Sequence, residues 1–255
     1  MRSVVYGPVS SWRLGSSLGI DLLSTSKNTC SFDCIYCQLG KTRNPLVERR
    51  EFVLLGELKV ALDRVAGVRA DFATFSGMGE PTLASNLAQA IQLTKDMLHL
   101  PVAVLTNSSL MARDDVRHDL ALADIVVAKI DAASEELFRQ INRPYVSYSF
   151  DDVVQAVHAF RKDFSGKLAL QMMFIKENMG KAVDMAKLAK ALSPDEIQIN
   201  TPLRPCPVRP LTPEEIAQIR SQFAWSHNVV TVYEMERPAV VPMDIVATLR
   251  RRPKL

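Results

Sequence analysis

Residues 18–23 read LGIDLL and residues 27–40 read KNTCSFDCIYCQLG, so a short apolar run is followed at once by three cysteines. Cys30, Cys34 and Cys37 stand in a C-x3-C-x2-C pattern, and Cys206, the fourth cysteine, lies far downstream. A tight group of cysteines is typical of a metal site, whereas disulfides are usually spread over a short secreted chain. The pattern therefore predicts a metal-binding loop directly after a strand.

Short apolar runs alternate with amphipathic segments along the chain. Strands are predicted over 18–23, 72–76, 102–107, 125–130, 168–174 and 197–200, with a seventh over 229–233. Helices are predicted over 54–65, 85–98, 113–122, 150–164, 181–192, 212–222 and 243–251. The strands are apolar almost throughout, as in parallel sheets that are covered on both faces. Repeated strand–helix units predict an α/β fold, a partial (β/α)6 barrel of parallel strands, with a doubly wound open sheet as the alternative.

Length and composition narrow the class of protein. The chain has 255 residues, of which 47% are hydrophobic and 23% charged, which suits one large α/β domain and excludes low-complexity disorder. No run approaches the ~20 apolar residues of a membrane span, and the N-terminus has no signal-peptide stretch, so we expect a cytoplasmic protein without a membrane partner. We expect a single barrel domain over residues 1–238, which includes an N-terminal cover. A C-terminal helix and tail are expected over residues 239–255.

The cysteine spacing favours an iron–sulfur cluster over a zinc ion. A structural zinc site takes four ligands, but this loop has three thiols and no histidine nearby. Three thiolates suit three irons of a 4Fe–4S cube and leave the fourth iron open to an exchangeable ligand. Buried structural cysteines, or zinc with Cys206 as the fourth ligand, are the alternatives.

The loop resembles the signature of the radical S-adenosylmethionine superfamily, C-x3-C-x-aromatic-C, with Tyr36 as the aromatic residue. This resemblance implies that Cys30, Cys34 and Cys37 hold a 4Fe–4S cluster and that S-adenosylmethionine chelates the fourth iron. It also implies reductive cleavage to methionine and a 5′-deoxyadenosyl radical, which abstracts hydrogen from a substrate. An electron donor such as flavodoxin or ferredoxin is implied too. The cofactor carries such chemistry, and the protein places and shields it.

The loops after the next strands carry the predicted cofactor contacts. Residues 77–81 read GMGEP, and glycines let a backbone approach a ligand closely. In the superfamily a G-G-E-P stretch holds the methionine amine, which implies that role for Gly77, Gly79, Glu80 and Pro81, although Met78 between the glycines is a departure. Asn107, after the third strand, is expected to contact ribose or carboxylate, with a loop-forming asparagine as the alternative.

Later strand ends supply further candidates. Lys129 and Asp131 are expected either to form an internal ion pair or to face the ligand, and Asp131 is a candidate cofactor contact. The superfamily resemblance implies that Gln171 and Asn200 flank adenine. Cys206, in a proline-rich loop, is a candidate catalytic residue that donates a hydrogen atom or binds a second metal. A free cysteine without a role is the alternative.

The substrate is predicted from a narrower resemblance and from charge. The stretches 6–21, 131–133 and 141–144 resemble a branch related to wyosine-base synthases, which modify a guanosine of tRNA, and the similarity spans residues 6–209. A small barrel with few covers is expected to stay open to a macromolecule. Two clusters of basic residues would form a track for phosphate groups if both lie at the mouth of the barrel. The alternative is that they are ordinary solvent-exposed charges. The residues are Lys41, Arg43, Arg49, Arg50 and Arg250–Arg252. A tRNA nucleoside is the first candidate for the substrate, and a protein, as for a glycyl-radical activase, is the second. The third possibility is that the chain is a non-enzymatic zinc- or iron-binding module.

Overall fold

Ten strands and eight α-helices occupy residues 3–253, the part of the chain that the computed structural model describes. The strands are β1 Val5–Ser11, β2 Gly15–Ile20, β3 Thr29–Cys30, β4 Asn44–Pro45, β5 Phe72–Phe75, β6 Val102–Thr106, β7 Ile125–Lys129, β8 Lys167–Met173, β9 Glu196–Asn200 and β10 Val229–Thr231. The helices are α1 Leu55–Asp63, α2 Leu87–Leu98, α3 Asp114–Leu120, α4 Glu135–Ile141, α5 Phe150–Asp163, α6 Ala182–Leu192, α7 Pro213–Ser221 and α8 Ile245–Arg251. Residues 1, 2, 254 and 255 of the predicted domain ranges lie outside this description, and the division at 238 stays a prediction.

Eight of the strands form one curled sheet in the order β1-β2-β5-β6-β7-β8-β9-β10. Every neighbouring pair is parallel except β1 and β2. Because the strands follow one another in chain order, the sheet winds in one direction, whereas a doubly wound sheet reverses its order near the middle. The partial barrel is therefore confirmed. Over residues 3–253 its edge strands β1 and β10 do not pair with each other, so the barrel stays open.

Five elements were missed or placed differently by the sequence prediction: β1, β2, β3, β4 and α4. Strands β3 and β4 have only two residues each. The predicted N-terminal cover contains strand β1, and β2 runs over 15–20 rather than 18–23. Both strands contain polar serines, so a search for apolar runs does not detect their full length. Gly19 lets this hairpin close, because a Cβ there would lie 2.1 Å from the Tyr6 ring. Helix α4 was not predicted. Its seven residues span two turns, which is too short for a clear helical period, and the Ser134 hydroxyl caps it by accepting from the Leu137 amide.

The helices cover the sheet through apolar faces that follow the predicted spacing. In α2, Leu87, Ala90 and Ile91 are buried, and the buried Thr94 hydroxyl donates to the Ala90 carbonyl at 2.7 Å, which satisfies the one polar group of that face. Helix α7 begins as predicted, with the Thr212 hydroxyl accepting from the Glu215 amide at 3.2 Å. The period-3.6 pattern was therefore a sound guide to these helices.

The last helix, α8, attaches to the edge strand β1. The Gly7 amide donates to the Thr248 hydroxyl at 3.1 Å, and the Met243 amide donates to the Gly7 carbonyl at 2.7 Å. None of the described helices is long and apolar enough to cross a bilayer, and the longest, α5, has 14 residues. The cytoplasmic location stays a prediction.

Candidate active site

The loops that follow the parallel strands surround a cavity of about 290 Å³. Its lining includes Cys30 after β2, Gly77 after β5, Asn107 after β6 and Asn200 at the end of β9. Ligands of parallel sheets bind outside the carboxyl ends of the strands, so the cavity occupies the expected place.

All three loop cysteines line this cavity, and all three are partly buried with free thiols. Helix α4 holds their loop, because the Ile35 amide donates to the Ile141 carbonyl at 3.0 Å. Within residues 3–253, no three Cys, His, Asp or Glu side chains converge on one point as a single metal ion requires. The three thiols therefore share one cavity.

Each cysteine sulfur accepts a hydrogen bond from a different asparagine amide. The Nδ2 group of Asn107 lies 3.5 Å from Cys30 Sγ and that of Asn142 lies 3.5 Å from Cys34 Sγ. Asn28 Nδ2 lies 3.7 Å from Cys37 Sγ. Sequence reasoning missed this role for Asn28 and Asn142. Both stood in stretches already singled out, but nothing in a sequence shows that a side-chain amide points at a sulfur.

Burial favours the neutral thiol form of Cys30 and Cys37. It raises the pKa of Cys37 to about 11, helped by the neighbouring Cys34, and it raises the pKa of Cys30 further, helped by Glu80. A thiolate is the metal-binding form of cysteine, so a metal must displace these protons. The donor set is thus one of soft sulfur ligands that a metal converts to thiolates.

A buried polar cluster of Tyr36, Lys129, Asp131 and Asn142 lies beside the cysteines. The Tyr36 hydroxyl donates to Asp131, and Asn142 Nδ2 donates to the same carboxylate at 2.9 Å. Lys129 Nζ lies 3.4 Å from Asp131 and 4.4 Å from the centre of the Tyr36 ring. The predicted internal ion pair is confirmed.

The two members of that ion pair differ in their access to the cavity. Lys129 lines it, whereas the 2% exposed Asp131 is not among the lining residues that the structure describes. Burial lowers the pKa of Lys129, but the Asp131 carboxylate, together with the cysteines in their thiolate form, outweighs burial and raises it, so the side chain remains an ammonium. Asp131 is held by protein groups, and a cofactor contact for it stays a prediction without geometric support.

The glycine-rich loop is joined directly to the cysteine loop. The Thr29 amide donates to the Met78 carbonyl at 2.9 Å, and the Glu80 amide donates to the Thr29 carbonyl at 3.2 Å. Gly79 has φ +154°, and a Cβ there would lie 1.6 Å from the Thr29 carbonyl oxygen. A Cβ on Gly77 would lie 2.3 Å from the carboxyl carbon of Asp21. Both positions therefore require glycine.

Glu80 is buried beneath this loop yet lines the cavity. Its Oε1 accepts from the Thr82 amide, the Thr82 hydroxyl and the Thr106 hydroxyl at 3.1, 2.7 and 2.7 Å. Its Oε2 accepts from the Asn107 amide at 2.7 Å. Burial raises the pKa of Glu80 although these donors oppose it. Pro81 is buried and begins a short 3-10 turn, so it shapes the loop from outside the cavity lining.

The remaining candidates separate into two groups. Gln171 and Asn200 line the cavity, and Gln171 Oε1 accepts from Arg13 Nη1 at 3.0 Å; their contact with adenine stays a prediction. Cys206 packs near Tyr36 and Ile175 outside the described cavity lining, and its thiol donates to the Val208 carbonyl at 3.2 Å. The structure offers no support for catalysis by Cys206, which stays a prediction.

The predicted basic track is only partly available. Arg49 is ion-paired with Asp115 at 2.7 Å and with Asp119, and Arg251 is ion-paired with Asp21 at 2.7 Å. Arg251 and Arg252 of that set line the cavity, together with three arginines that sequence reasoning missed: Arg13, Arg204 and Arg237. These three arginines are far apart in sequence, so they form no run of basic residues that sequence analysis could detect.

Comparison with known proteins identifies the family. The family model described as Radical SAM superfamily matches residues 25–189. The chain belongs to the radical SAM superfamily. It is therefore an enzyme of the class that its cysteine signature resembles. Its relatives include the UPF0026 protein MJ1312 of Methanocaldococcus jannaschii, 35% identical over 235 residues, which are 89% of this chain and 72% of that protein.

Two solved structures have the same fold. Streptococcus suis SuiB bound to S-adenosylmethionine matches with a TM-score of 0.63 and 12% identity, over 80% of this chain and 48% of SuiB. The crystal structure of archaeal TYW1 matches with a TM-score of 0.55 and 14% identity, over 84% of this chain and 72% of that one. This radical SAM chain spans about half of SuiB, and at such low identity the likeness concerns the fold alone.

Proposed function

We propose that this radical SAM enzyme holds a 4Fe–4S cluster through Cys30, Cys34 and Cys37 and binds S-adenosylmethionine in the adjoining cavity. The observation that carries the proposal is that three thiols of one loop line the cavity, while no histidine and no further cysteine is among the lining residues that the structure describes. A structural zinc site takes four ligands, usually cysteine and histidine, whereas three cysteines can hold three irons of a cluster. The arrangement supports a cluster over the zinc-binding alternative.

When bound, the cluster and S-adenosylmethionine supply a 5′-deoxyadenosyl radical, formed with methionine by one-electron reduction, that abstracts hydrogen from substrate. The chain supports three thiolates through its own groups. Asn28, Asn107 and Asn142 each donate to one sulfur. The Lys129 ammonium adds a positive charge that favours the ionised thiols. An external one-electron donor, such as flavodoxin or ferredoxin, is part of the proposal.

We assign the amine of S-adenosylmethionine to the loop of residues 77–81. Glu80 Oε1 has three donors but Oε2 has only one, which leaves acceptor capacity at Oε2 for an ammonium group. The two glycines of the loop present bare backbone to the cavity. Asn107, Gln171 and Asn200 offer amides from other parts of the lining for the carboxylate, ribose and adenine.

For the substrate we propose a nucleoside of tRNA. The barrel is open between its edge strands, arginines line the cavity, and the fold is similar to that of archaeal TYW1. A protein substrate is the alternative, and the following experiment distinguishes it from a tRNA substrate. Comparison of modified nucleosides in tRNA from a deletion strain and its parent is expected to show one missing modification. Unchanged nucleosides would move the proposal to protein substrates.

Anaerobic reconstitution tests the cofactor proposal. We expect protein loaded with iron and sulfide to be brown and to release 5′-deoxyadenosine from S-adenosylmethionine after reduction. The triple variant Cys30→Ala, Cys34→Ala, Cys37→Ala is expected to lose both properties. Colourless protein with one zinc per chain, or release of 5′-deoxyadenosine by the triple variant, contradicts the proposal.

The amine assignment has its own test. Because Glu80→Ala removes the carboxylate that would pair with the ammonium, we expect S-adenosylmethionine binding to weaken by about tenfold or more, equivalent to ~1.4 kcal/mol. Iron content is expected to stay that of the wild type. Glu177→Ala, which removes an exposed carboxylate, is the matched control. Equal affinity in the two variants rules out this role for Glu80.

A further inference from the structure

Among the residues that the structure describes, five arginines line one cavity: Arg251 is ion-paired, and the other four come from four separate segments. Arg13 lies in the β1–β2 turn, Arg204 follows β9, Arg237 follows β10 and Arg252 follows α8. They are close neighbours: burial and the charges of the other three lower the pKa of Arg13 to about 9. The segments come from both edges of the open sheet and from the last helix. The folded chain therefore gathers four positive charges beside the gap in the barrel.

These charges lack the carboxylate partners that other arginines of the chain have. Over the described residues 3–253 none of the four makes an ion pair, whereas the adjacent Arg251 is paired with Asp21. Arg13 Nη1 donates to Gln171 and Arg204 Nη1 donates to the Pro253 carbonyl at 2.5 Å. Arg13 Nε is buried with no hydrogen-bond partner. Glu196 also acts on Arg13, but it is ion-paired with Lys167 at 2.7 Å.

Guanidinium groups gathered in a partly buried cavity repel one another, and among residues 3–253 no ion pair of these four arginines offsets this cost. An anion in the cavity would offset it. Four charges exceed the need of one carboxylate and suit a ligand with two or more negative charges. Arginine binds phosphate through two parallel hydrogen bonds, so phosphate groups fit this arrangement.

We propose that Arg13, Arg204, Arg237 and Arg252 bind the phosphate groups of a nucleotide substrate and hold its nucleoside inside the cavity that the cysteine loop lines. This inference rests on the proposed function and adds the residues that select the substrate. The phosphates belong either to a free nucleotide or to the backbone of an RNA. The exposed Arg237 and the half-buried Arg252 contact the phosphates nearest to solvent, and Arg13 contacts the innermost one.

Binding of two probes, inorganic triphosphate and unfractionated tRNA, tests the site without relying on turnover. The reconstituted wild-type protein is compared with the double variant Arg237→Gln, Arg252→Gln, whose side chains reach solvent, so that folding is preserved. The control is Arg69→Gln, Arg139→Gln, which removes two exposed charges outside the cavity lining. Circular dichroism checks that both variants are folded.

We expect the double variant to bind triphosphate, tRNA or both at least about tenfold more weakly than the control variant does. For tRNA, the slope of log affinity against log salt concentration is expected to fall by about two in magnitude. Loss of triphosphate binding supports a free nucleotide, and loss confined to tRNA supports an RNA. Equal binding by the two variants, or no binding of either probe to wild type at low ionic strength, overturns the proposal. Release of 5′-deoxyadenosine is measured separately without any nucleotide, so failure of the cofactor proposal is distinguishable.

Discussion

Single side chains set the environment of each cysteine sulfur. Asn107, Asn142 and Asn28 donate to Cys30, Cys34 and Cys37 respectively, and each amide comes from a different segment. Hydrogen bonds to cysteine sulfurs are one of the determinants of an iron–sulfur reduction potential. In the proposed cluster such bonds strengthen when the cluster gains an electron, because the sulfurs then carry more negative charge. They therefore favour the reduced state.

The first prediction concerns one of these amides. Asn107→Ala removes the donor to Cys30, so we expect the reduction potential of the reconstituted cluster to fall by about 40 mV, the equivalent of one hydrogen bond of about 1 kcal/mol. A titration followed by electron paramagnetic resonance, without S-adenosylmethionine, measures it. Asn228→Ala is the control, because Asn228 is exposed and donates to the Asp195 carbonyl. Equal potentials in the two variants would show that the amide does not act on the cluster.

The second prediction concerns the thiols of the metal-free chain. Burial raises the pKa of Cys37 from 9.0 to about 11, so its thiolate fraction below pH 9 is about a hundredfold smaller than that of an ordinary thiol. We expect iodoacetamide to modify Cys37 about a hundredfold more slowly in the folded chain than in the urea-unfolded chain at pH 8. The rate is expected to rise with pH up to about 11. Mass spectrometry of the peptide that contains the loop measures both rates, and equal rates at pH 8 would contradict the prediction.

Elements of the site are aligned by their backbones. The loop of residues 77–81 is joined to Thr29, the residue before the first cysteine, through hydrogen bonds in both directions. This contact leaves no room for a side chain at Gly79. The cysteine loop and the glycine-rich loop thus form one unit, and a change in one is expected to move the other.

A glycine pair tests this junction. Gly79→Ala places a methyl group against the Thr29 carbonyl at a positive φ, so we expect the free energy of unfolding to fall by about 2 kcal/mol or more. Gly56→Ala, in helix α1 with open space around it, is expected to raise that free energy by about 0.5–1 kcal/mol. Urea unfolding of both variants measures the changes. Unchanged stability of Gly79→Ala would show that the loops separate without cost.

At the scale of the whole molecule, one buried ion pair joins the two ends of the chain. Arg251 of α8 lies 2.7 Å from Asp21, which directly follows β2, and the two side chains are 3% and 1% exposed. Arg251 also donates to the Ser3 carbonyl, and its guanidinium stacks 5.0 Å from the centre of the Tyr6 ring. The last helix is therefore part of the barrel wall beside the cavity.

Breaking this ion pair is expected to destabilise the fold. Arg251→Met leaves the Asp21 carboxylate buried without a counter-charge, so we expect a loss of about 3–5 kcal/mol in the free energy of unfolding. The double variant Asp21→Asn, Arg251→Met is expected to lose less than the single variant, because no charge remains buried. Lys187→Met, which removes an exposed cation 3.8 Å from Asp184, is the surface control. Thermal and urea unfolding measure all three, and a loss below 1 kcal/mol for Arg251→Met would contradict the expectation.

Local patterns were sufficient for most of the fold and for the cysteine loop. The apolar runs predicted β5 to β9, the helical period predicted α2 and α7, and the cysteine spacing led to the family that the comparison identifies. Short range explains this success, because period, caps and a C-x3-C-x2-C spacing are all contained in a few neighbouring residues. Strand β1 and helix α4 escaped because their residues lack such a period.

Long-range contacts account for what residue order does not contain. Asn28, Asn107 and Asn142 meet the cysteines, and Arg13, Arg204, Arg237 and Arg252 meet one another, because curling a parallel sheet brings distant loops to one cavity. Whether an arginine is ion-paired also depends on its neighbours in the folded chain. Arg251 pairs with Asp21, 230 positions away, whereas Arg252 beside it has no carboxylate partner among the described residues. Coulomb interaction depends on distance in space and on burial, and the order of residues along a chain specifies neither.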